Sequence, residues 1–194
     1  MNRRNKRWIR ELGAGIGFLL AVVLTLGMAR RQTVAAQVRE DTIRLHVLAN
    51  SDTIEDQLLK LDVRDAILAA LPAAVAQAET PQQAARALQN ALPALQAAAN
   101  KTLMAAHSGQ TAAVRLEQFD FAAKDYGTFA LPAGSYTALR VELGKAQGHN
   151  WFCVLYPALC VSGATAEYPT EAENALVFGK YEVRFALLDA LQGR

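Results

Sequence analysis

An uncharged run of 18 residues near the N-terminus, residues 12–29, divides the chain into two parts with different physical requirements. A helix of about 20 apolar residues can cross the hydrocarbon core of a bilayer. Because the run is apolar on every side, it has no amphipathic stripe with which to pack on a soluble domain. The run therefore predicts a signal peptide or a single membrane anchor.

Basic residues are distributed unequally around this run. Five Lys and Arg residues precede it, and only Arg30 and Arg31 follow it directly. Cytoplasmic flanks carry the excess of Lys and Arg, so we expect a cytoplasmic N-terminus and an exported remainder. Two arginines are atypical directly after a signal peptide, but residues 34–36 offer small side chains for cleavage, so a cleaved product and a retained anchor both stay open. We assign residues 1–31 to the signal or anchor, 32–41 to a linker and 42–194 to one extracytoplasmic domain.

The charge of the exported part differs from that of the whole chain. The full sequence has 20 Lys and Arg residues and 18 Asp and Glu residues, of which residues 1–31 hold 7 and 1. The remainder therefore has 13 basic and 17 acidic residues, a net charge of −4. A mildly acidic domain is a poor partner for phosphate backbones, which disfavours a nucleic-acid-binding protein.

Hydrophobic periodicity predicts a single α+β domain with a roughly four-stranded antiparallel or mixed sheet packed by helices. Alternation indicates strands over 42–48, 111–121 and 136–143, and residues 151–156 are expected to form a fourth strand that Pro157 ends. We expect residues 144–148 to form a hairpin loop between the last two strands. Residues 161–178 are expected to be a mobile loop, and residues 181–191 a terminal helix.

Two longer helices are predicted between the first and second strands. Asp52 and Glu55 are expected to cap a helix that runs to about Leu71 and contacts other structure on two sides. Thr80 and Gln83 form a second capping signal over an alanine-rich helix, which we expect Pro93 to break or kink.

Motifs for catalysis or metal binding are weak. The three histidines, His46, His107 and His149, lack the spacing of a zinc site, so we expect no metal and no cofactor. His149 and Cys153 could form a base and nucleophile, but their spacing across a turn does not assure a shared geometry. Two cysteines in an exported chain favour one disulfide, Cys153–Cys160, and two buried thiols are the alternative.

Two stretches resemble the stage II sporulation protein R family. Residues 43–52 read Ile-Arg-Leu-His-Val-Leu-Ala-Asn-Ser-Asp, and related positions continue to residue 66. Residues 126–144 carry Tyr-Gly, Leu-Pro-Ala-Gly and Ala-Leu-Arg-Val, and residues 150–160 read Asn-Trp-Phe-Cys-Val-Leu-Tyr-Pro-Ala-Leu-Cys. The chain departs from the family at Phe152, where a second tryptophan is usual, and at Ala158, where a second proline is usual.

The resemblance implies a signalling protein that is not an enzyme. Members are made in the forespore and exported into the space between forespore and mother cell. There they activate a membrane-embedded aspartic protease that cleaves the precursor of sigma E. An extracytoplasmic enzyme acting on cell wall, through Cys153 or acidic residues, and a generic membrane-anchored binding module are the alternatives.

Polar residues at the ends of elements, or interrupting the apolar helix, are the candidate surface for the protease. We expect no catalytic residues and no small-molecule substrate. Each of these polar groups could equally be a helix cap or an internal ion pair. The predicted contact residues are Asn50, Ser51, Asp52, Asp56, Gln57, Lys60, Arg64, Asp65, Arg140, Asn150 and Trp151.

Overall fold

A computed structural model describes residues 3–158 and 168–179 of the chain. The helices of these residues are α1 Arg3–Glu40, α2 Ile54–Ala69, α3 Ala73–Ala76, α4 Pro81–Ala105 and α5 Glu171–Phe178. The strands are β1 Ile43–Leu48, β2 Ala112–Phe121, β3 Lys124–Asp125, β4 Ala130–Leu131, β5 Gly134–Leu143 and β6 Asn150–Tyr156. The predicted terminal helix at 181–191 and Cys160 lie outside the described residues.

The main sheet within the described part has four strands in the order β2-β5-β1-β6. β1 runs parallel to β5 and antiparallel to β6, and β2 runs antiparallel to β5. The predicted α+β class with a mixed, roughly four-stranded sheet is therefore confirmed. The minor pair β3–β4 forms a separate two-stranded sheet in a segment predicted to be a loop.

The predicted hairpin at 144–148 is wrong, because β5 and β6 are not neighbours. β1 is inserted between them, so the connection crosses the end of β1. There the N–H of Gly148 donates to the carbonyl of Ala49 at 2.9 Å, and the N–H of Gln147 donates to the carbonyl of Asn50 at 3.2 Å. A Cβ atom on Gly148 would lie 2.1 Å from the carbonyl oxygen of Ser51, so glycine permits this close crossing.

Alternation along β1 assigns its side chains to two different cores, as period-two strand geometry requires. Ile43, Leu45 and Val47 are buried against helices α2, α3 and α4. Arg44 and His46 point to the opposite face. That face is covered in part by the end of α1 and by α5, which contribute Val38 and Val177 to the second core.

Helix α2 begins one residue later than predicted. Its N-cap is Thr53, whose Oγ1 accepts the N–H of Asp56 at 3.3 Å, so the predicted capping role of Asp52 is wrong. The helix buries Leu59, Val63 and Ile67 on one side. Ile54 and Leu58 are exposed, so the second contact side that we expected is not provided by the described residues.

Helix α4 confirms the predicted cap, and it continues through Pro93 without a break, which was one of the two effects expected of the proline. The N–H of Gln83 donates to Oγ1 of Thr80, and Pro81 occupies the first turn. Pro93 lies inside a continuous helix. Leu88 and Leu95, on either side of Pro93, are both buried in the same core, so packing holds the two halves together where the proline removes a backbone bond.

The outer edge of β2 is covered by side chains of α4. Oδ1 of Asn100 accepts the N–H of Ala112 at 2.8 Å, and Oε1 of Gln96 accepts the N–H of Val114 at 3.2 Å. These amides occupy donors that an open edge strand would present to another chain.

Helix α1 joins the apolar run to the domain without interruption. Its portion Glu11–Glu40 is, among the described residues, the one helix long and apolar enough to cross a membrane, and a signal sequence meets the same criteria. Residues 32–40, assigned above to a linker, are helical, and Val38 is fully buried in the second core. The division into anchor, linker and domain stays a prediction.

Helix α5 contradicts the predicted loop at 161–178 over residues 171–178, while residues 161–167 lie outside the described residues. Thr170 and Glu173 form a reciprocal capping box at its start. The side chain of Asn174 also holds the preceding turn, because its Oδ1 accepts the N–H of Tyr168 at 2.8 Å. This Thr-x-x-Glu spacing was a readable start signal in a segment whose glycine and polar content favoured a loop.

Candidate functional site

Asp56 is the centre of the predicted polar surface, and it is almost fully buried. Its Oδ2 accepts Nδ2 of Asn50 at 2.8 Å and Oγ of Ser51 at 2.5 Å, while its Oδ1 accepts Nε2 of Gln110 at 2.6 Å. The hydrogen bond from Ser51 is the main cause that lowers the pKa of Asp56, and those from Asn50 and Gln110 add to it against the effect of burial. A carboxylate whose oxygens are occupied in this way is a structural acceptor that joins the 50–52 loop, α2 and the approach to β2.

Lys60 lies one turn further along α2 and is also buried. Its Nζ donates to Oε1 of Gln57 at 2.6 Å and to the carbonyl of His149 at 3.0 Å. Nε2 of Gln57 donates in turn to the carbonyl of Ser51 at 2.9 Å. Burial lowers the pKa of Lys60. This ammonium therefore fixes the start of β6 against α2.

Asp52 and His149 form the exposed part of the cluster. Oδ1 of Asp52 accepts the backbone N–H of His149 at 2.5 Å and lies 2.6 Å from its ring Nδ1. The backbone bond, and then the ring bond, hold the pKa of Asp52 below its usual value. Nearby, Oδ1 of Asn50 accepts the N–H of Lys145 at 2.9 Å, so the 50–52 loop and the 144–149 crossing are fastened together.

The hydrogen-bonded cluster described above is here called the Asp56 clamp, and its members are Asn50, Ser51, Asp52, Asp56, Gln57, Lys60, Gln110, Lys145 and His149. Four further predicted residues lie beside the clamp: Arg64, Asp65, Asn150 and Trp151. The guanidinium carbon of Arg64 lies 4.9 Å from the ring centroid of Trp151, and its Nε is 2.7 Å from Oδ1 of Asp65. Trp151 packs partly buried against the first core. Asn150 is exposed at the first position of β6.

Arg140 is separated from the other predicted contact residues by the sheet. It pairs in register with His46, on the face opposite to α2. Its Nη atoms bond Glu117 at 2.8 Å and Glu142 at 2.7 Å, and its guanidinium carbon lies 4.2 Å from the ring centroid of Phe119. The structure thus brings ten of the predicted residues together along and beside α2 and leaves Arg140 on the other face of the sheet.

The opposite face contains a buried arginine and a buried histidine that sequence reasoning did not single out. The guanidinium carbon of Arg44 lies 3.9 Å from the ring centroid of Phe121, and its Nη2 donates to the hydroxyl of Tyr126 at 3.0 Å. His46 stacks on Phe152 with ring centroids 4.7 Å apart. Burial, followed by the charges of Arg140 and Arg44, lowers the pKa of His46 to about 4.

Residues missed by sequence reasoning include Gln110, Lys145 and the capping Thr53. Gln110 lies 54 positions after Asp56, and no local pattern links the two. Thr53 had a readable cap signal, since its hydroxyl lies three residues before the helical N–H that it accepts.

The reactive groups considered earlier are not assembled in the described residues. Cys153 lies buried in the first core, whereas the side chain of His149 is 81% exposed and bonded to Asp52, so the considered nucleophile and base are apart. No group of three or more metal-ligating side chains occurs in the described ranges. What the cluster does chemically is hold three chain segments in one geometry.

A known protein family matches the part of the chain that contains this fold and the Asp56 clamp. Residues 39–166, from the end of α1 to beyond β6, match the stage II sporulation protein R family. The chain belongs to this family. A stage II sporulation protein R of Bacillus subtilis (strain 168) is 34% identical over 149 residues, an alignment that covers 74% of this chain and 66% of the relative. No solved structure matches the chain.

Membership of the stage II sporulation protein R family supports a sporulation signalling role. The matched residues contain the whole of the Asp56 clamp and all four strands of the main sheet. The N-terminal apolar helix lies almost entirely before them and is the expected form of a membrane anchor or signal sequence.

Proposed function

We propose that the protein is an exported sporulation signal that activates a membrane-embedded aspartic protease, which then processes the precursor of sigma E. The observation that carries the proposal is the family match over residues 39–166, placed directly after an apolar helix that can cross a membrane. Under this proposal the domain is delivered from the forespore to the intermembrane space with the N-terminus in the cytoplasm. It then acts there either anchored or released by cleavage.

Two structural features support a role in recognition. Neighbouring groups hydrogen-bond the carboxylate oxygens of Asp56 and the ammonium of Lys60. The role of these two side chains is therefore to hold the shape of the surface around them. The clamp also joins segments that are distant in sequence, and a preorganised surface loses less entropy on binding a partner.

Co-expression in a non-sporulating host tests the proposed activity directly. The full-length chain, the protease and the sigma precursor are produced together, and precursor cleavage is measured with and without this chain. We expect cleavage to depend on the chain. A control with the protease's catalytic aspartates replaced separates cleavage by that enzyme from cleavage by host proteases, and chain-independent cleavage contradicts the proposal.

The Cys153–Cys160 disulfide remains part of the proposal. Cys153 is buried in β6, seven positions before Cys160, and export would place both in an oxidising compartment. Closing so short a loop would contribute about 2.5 kcal/mol by chain entropy. Mass spectrometry of the exported protein, alkylated without reduction, is expected to show no modified cysteine, and two alkylated thiols would contradict the bridge.

A further inference from the structure

The outward side of α2 carries a row of apolar side chains, Ile54, Leu58 and Leu61, here called the α2 stripe. Their spacing of four and three residues places them along one side of the helix. Ile54 is 81% exposed and Leu58 is 59% exposed, whereas Leu59 and Val63, on the opposite side, are buried. Exposed leucines scattered singly are ordinary, but an aligned row beside a rigid clamp is typical of an interaction surface.

Acidic side chains border the α2 stripe. Glu55 and Asp62, seven residues apart, lie along one flank, and both are exposed. Neither of them forms an ion pair with any described residue. Asp65 lies at the end of the α2 stripe itself, one turn after Leu61, and its side chain is 62% exposed although Arg64 contacts it.

This charge distribution selects among the possible occupants of the α2 stripe. A second copy packed symmetrically would bring the same acidic border against itself, which costs free energy through like-charge repulsion. An anionic membrane surface attracts basic segments and would repel this acidic border. A protein segment with apolar side chains flanked by Lys or Arg can pack its apolar side chains on the α2 stripe and pair its basic residues with the acidic border.

The Asp56 clamp makes this side of α2 a firm platform. Asp56 and Lys60 lie on the inner side of the same helix turns that carry Ile54, Leu58 and Leu61, and their bonds reach the 50–52 loop, Gln110 and the start of β6. The helix turns that carry the α2 stripe are therefore held in a fixed position before a partner binds.

We propose that the α2 stripe is the docking surface for a partner-protein segment that presents apolar side chains flanked by basic residues. This inference rests on the proposed function, in which that segment belongs to the activated protease. It moves the point of contact from the predicted polar residues, most of which bond internally, to the apolar row beside them.

The test uses the co-expression assay with full-length variants at limiting levels of the chain. Ile54→Ser/Leu58→Ser is expected to lower the rate of precursor cleavage at least about tenfold, because central apolar contacts dominate binding. Glu55→Lys/Asp62→Lys is expected to lower it as well, by placing like charges against the basic flank.

Met104→Ser is the matched control. Met104 is 68% exposed. It lies on α4 and not on α2, and it follows Gln96 and Asn100 at four-residue spacing, on the side of α4 that faces the β2 edge. This variant is expected to retain full stimulation, and equal urea midpoints for all variants verify that folding is unaffected.

The outcomes separate the two proposals. Absence of stimulation by the unmodified chain contradicts the proposed function itself. Stimulation by the unmodified chain together with full activity of Ile54→Ser/Leu58→Ser overturns the docking surface alone. A dimer of the purified chain, or binding to anionic vesicles, that is abolished by the same double substitution would assign the α2 stripe to a second copy or to lipid, and would also overturn the proposal.

Discussion

Replacing Asp56 tests whether the polar clamp is structural. Asp56→Ala removes three side-chain hydrogen bonds to a carboxylate, from Asn50, Ser51 and Gln110. Bonds to a charged acceptor contribute about 1.5–3 kcal/mol each, but such values do not add, and donors at a domain surface regain water. We therefore expect the free energy of unfolding to fall by about 3 kcal/mol, which lowers Tm by about 6–12 °C for a domain of this size.

The assay is urea unfolding of the full-length protein in mild detergent, followed by the fluorescence of Trp151 in a Trp8→Phe background. Asp56→Asn keeps the shape of the side chain but turns an amide N–H₂ toward a donor, so we expect an intermediate loss of about 2 kcal/mol. Asp62→Asn, at an exposed position of the same helix, is the control and should stay within about 0.5 kcal/mol of the unmodified protein.

The pH dependence of the same variants gives a second, independent readout. The pKa of Asp56 is lowered in the folded protein, so its stabilising contribution is present above the unfolded-state pKa. It is lost as the pH falls from about 4 through that lowered value. The stability difference between Asp56→Asn and the unmodified protein should therefore shrink in acid. An Asp56→Ala protein as stable as the Asp62→Asn control at neutral pH would refute the structural role.

Three further substitutions probe other parts of the fold. Burial lowers the pKa of His46 in the folded protein from its ordinary value of 6.5 to about 4, so protonation favours the unfolded chain. Stability should therefore fall as the pH drops from 6.5 to about 4, and His46→Phe, measured by urea unfolding across this range, should flatten that dependence. Gly148→Ala would push a methyl group against the carbonyl of Ser51, so we expect the free energy of unfolding to fall by at least about 2 kcal/mol. The urea midpoint should fall accordingly, and an unchanged midpoint would contradict the close crossing. Gln96→Ala/Asn100→Ala uncovers two N–H groups of β2, and light scattering should show concentration-dependent association that neither single substitution produces as strongly.

Local patterns predicted those elements whose geometry is decided by near neighbours. The alternation of Ile43, Leu45 and Val47 predicted a strand with two distinct faces, because period two is a property of the strand itself. Thr80 predicted the start of α4 because a cap and its N–H acceptor site lie within one turn. These features need no knowledge of the rest of the chain.

Thr53 and Thr170 carried local cap signals that were missed, but the other missed features depend on contacts between distant segments. The choice of Thr53 over Asp52 as cap follows from the engagement of the Asp52 carboxylate by His149, far along the chain. Asp56 and Lys60 have the composition of surface residues, and only their contacts with Gln110 and His149 make them interior. The sequence therefore grouped residues that the structure places near one another, but it did not predict the contacts of their individual side chains.

The central position of β1 has a consequence for the time at which the domain can fold. β1 is made early in the chain, but both of its neighbours, β5 and β6, follow the helices α2 and α4. A sheet whose central strand pairs with strands made much later in the chain has high contact order, and the loop-closure entropy must be overcome before either ladder of β1 forms. Under the proposed export, the sheet cannot be completed until β6 has left the translocation channel. The chain therefore stays unfolded enough to pass through the channel, and it becomes a competent signal only on the far side of the membrane.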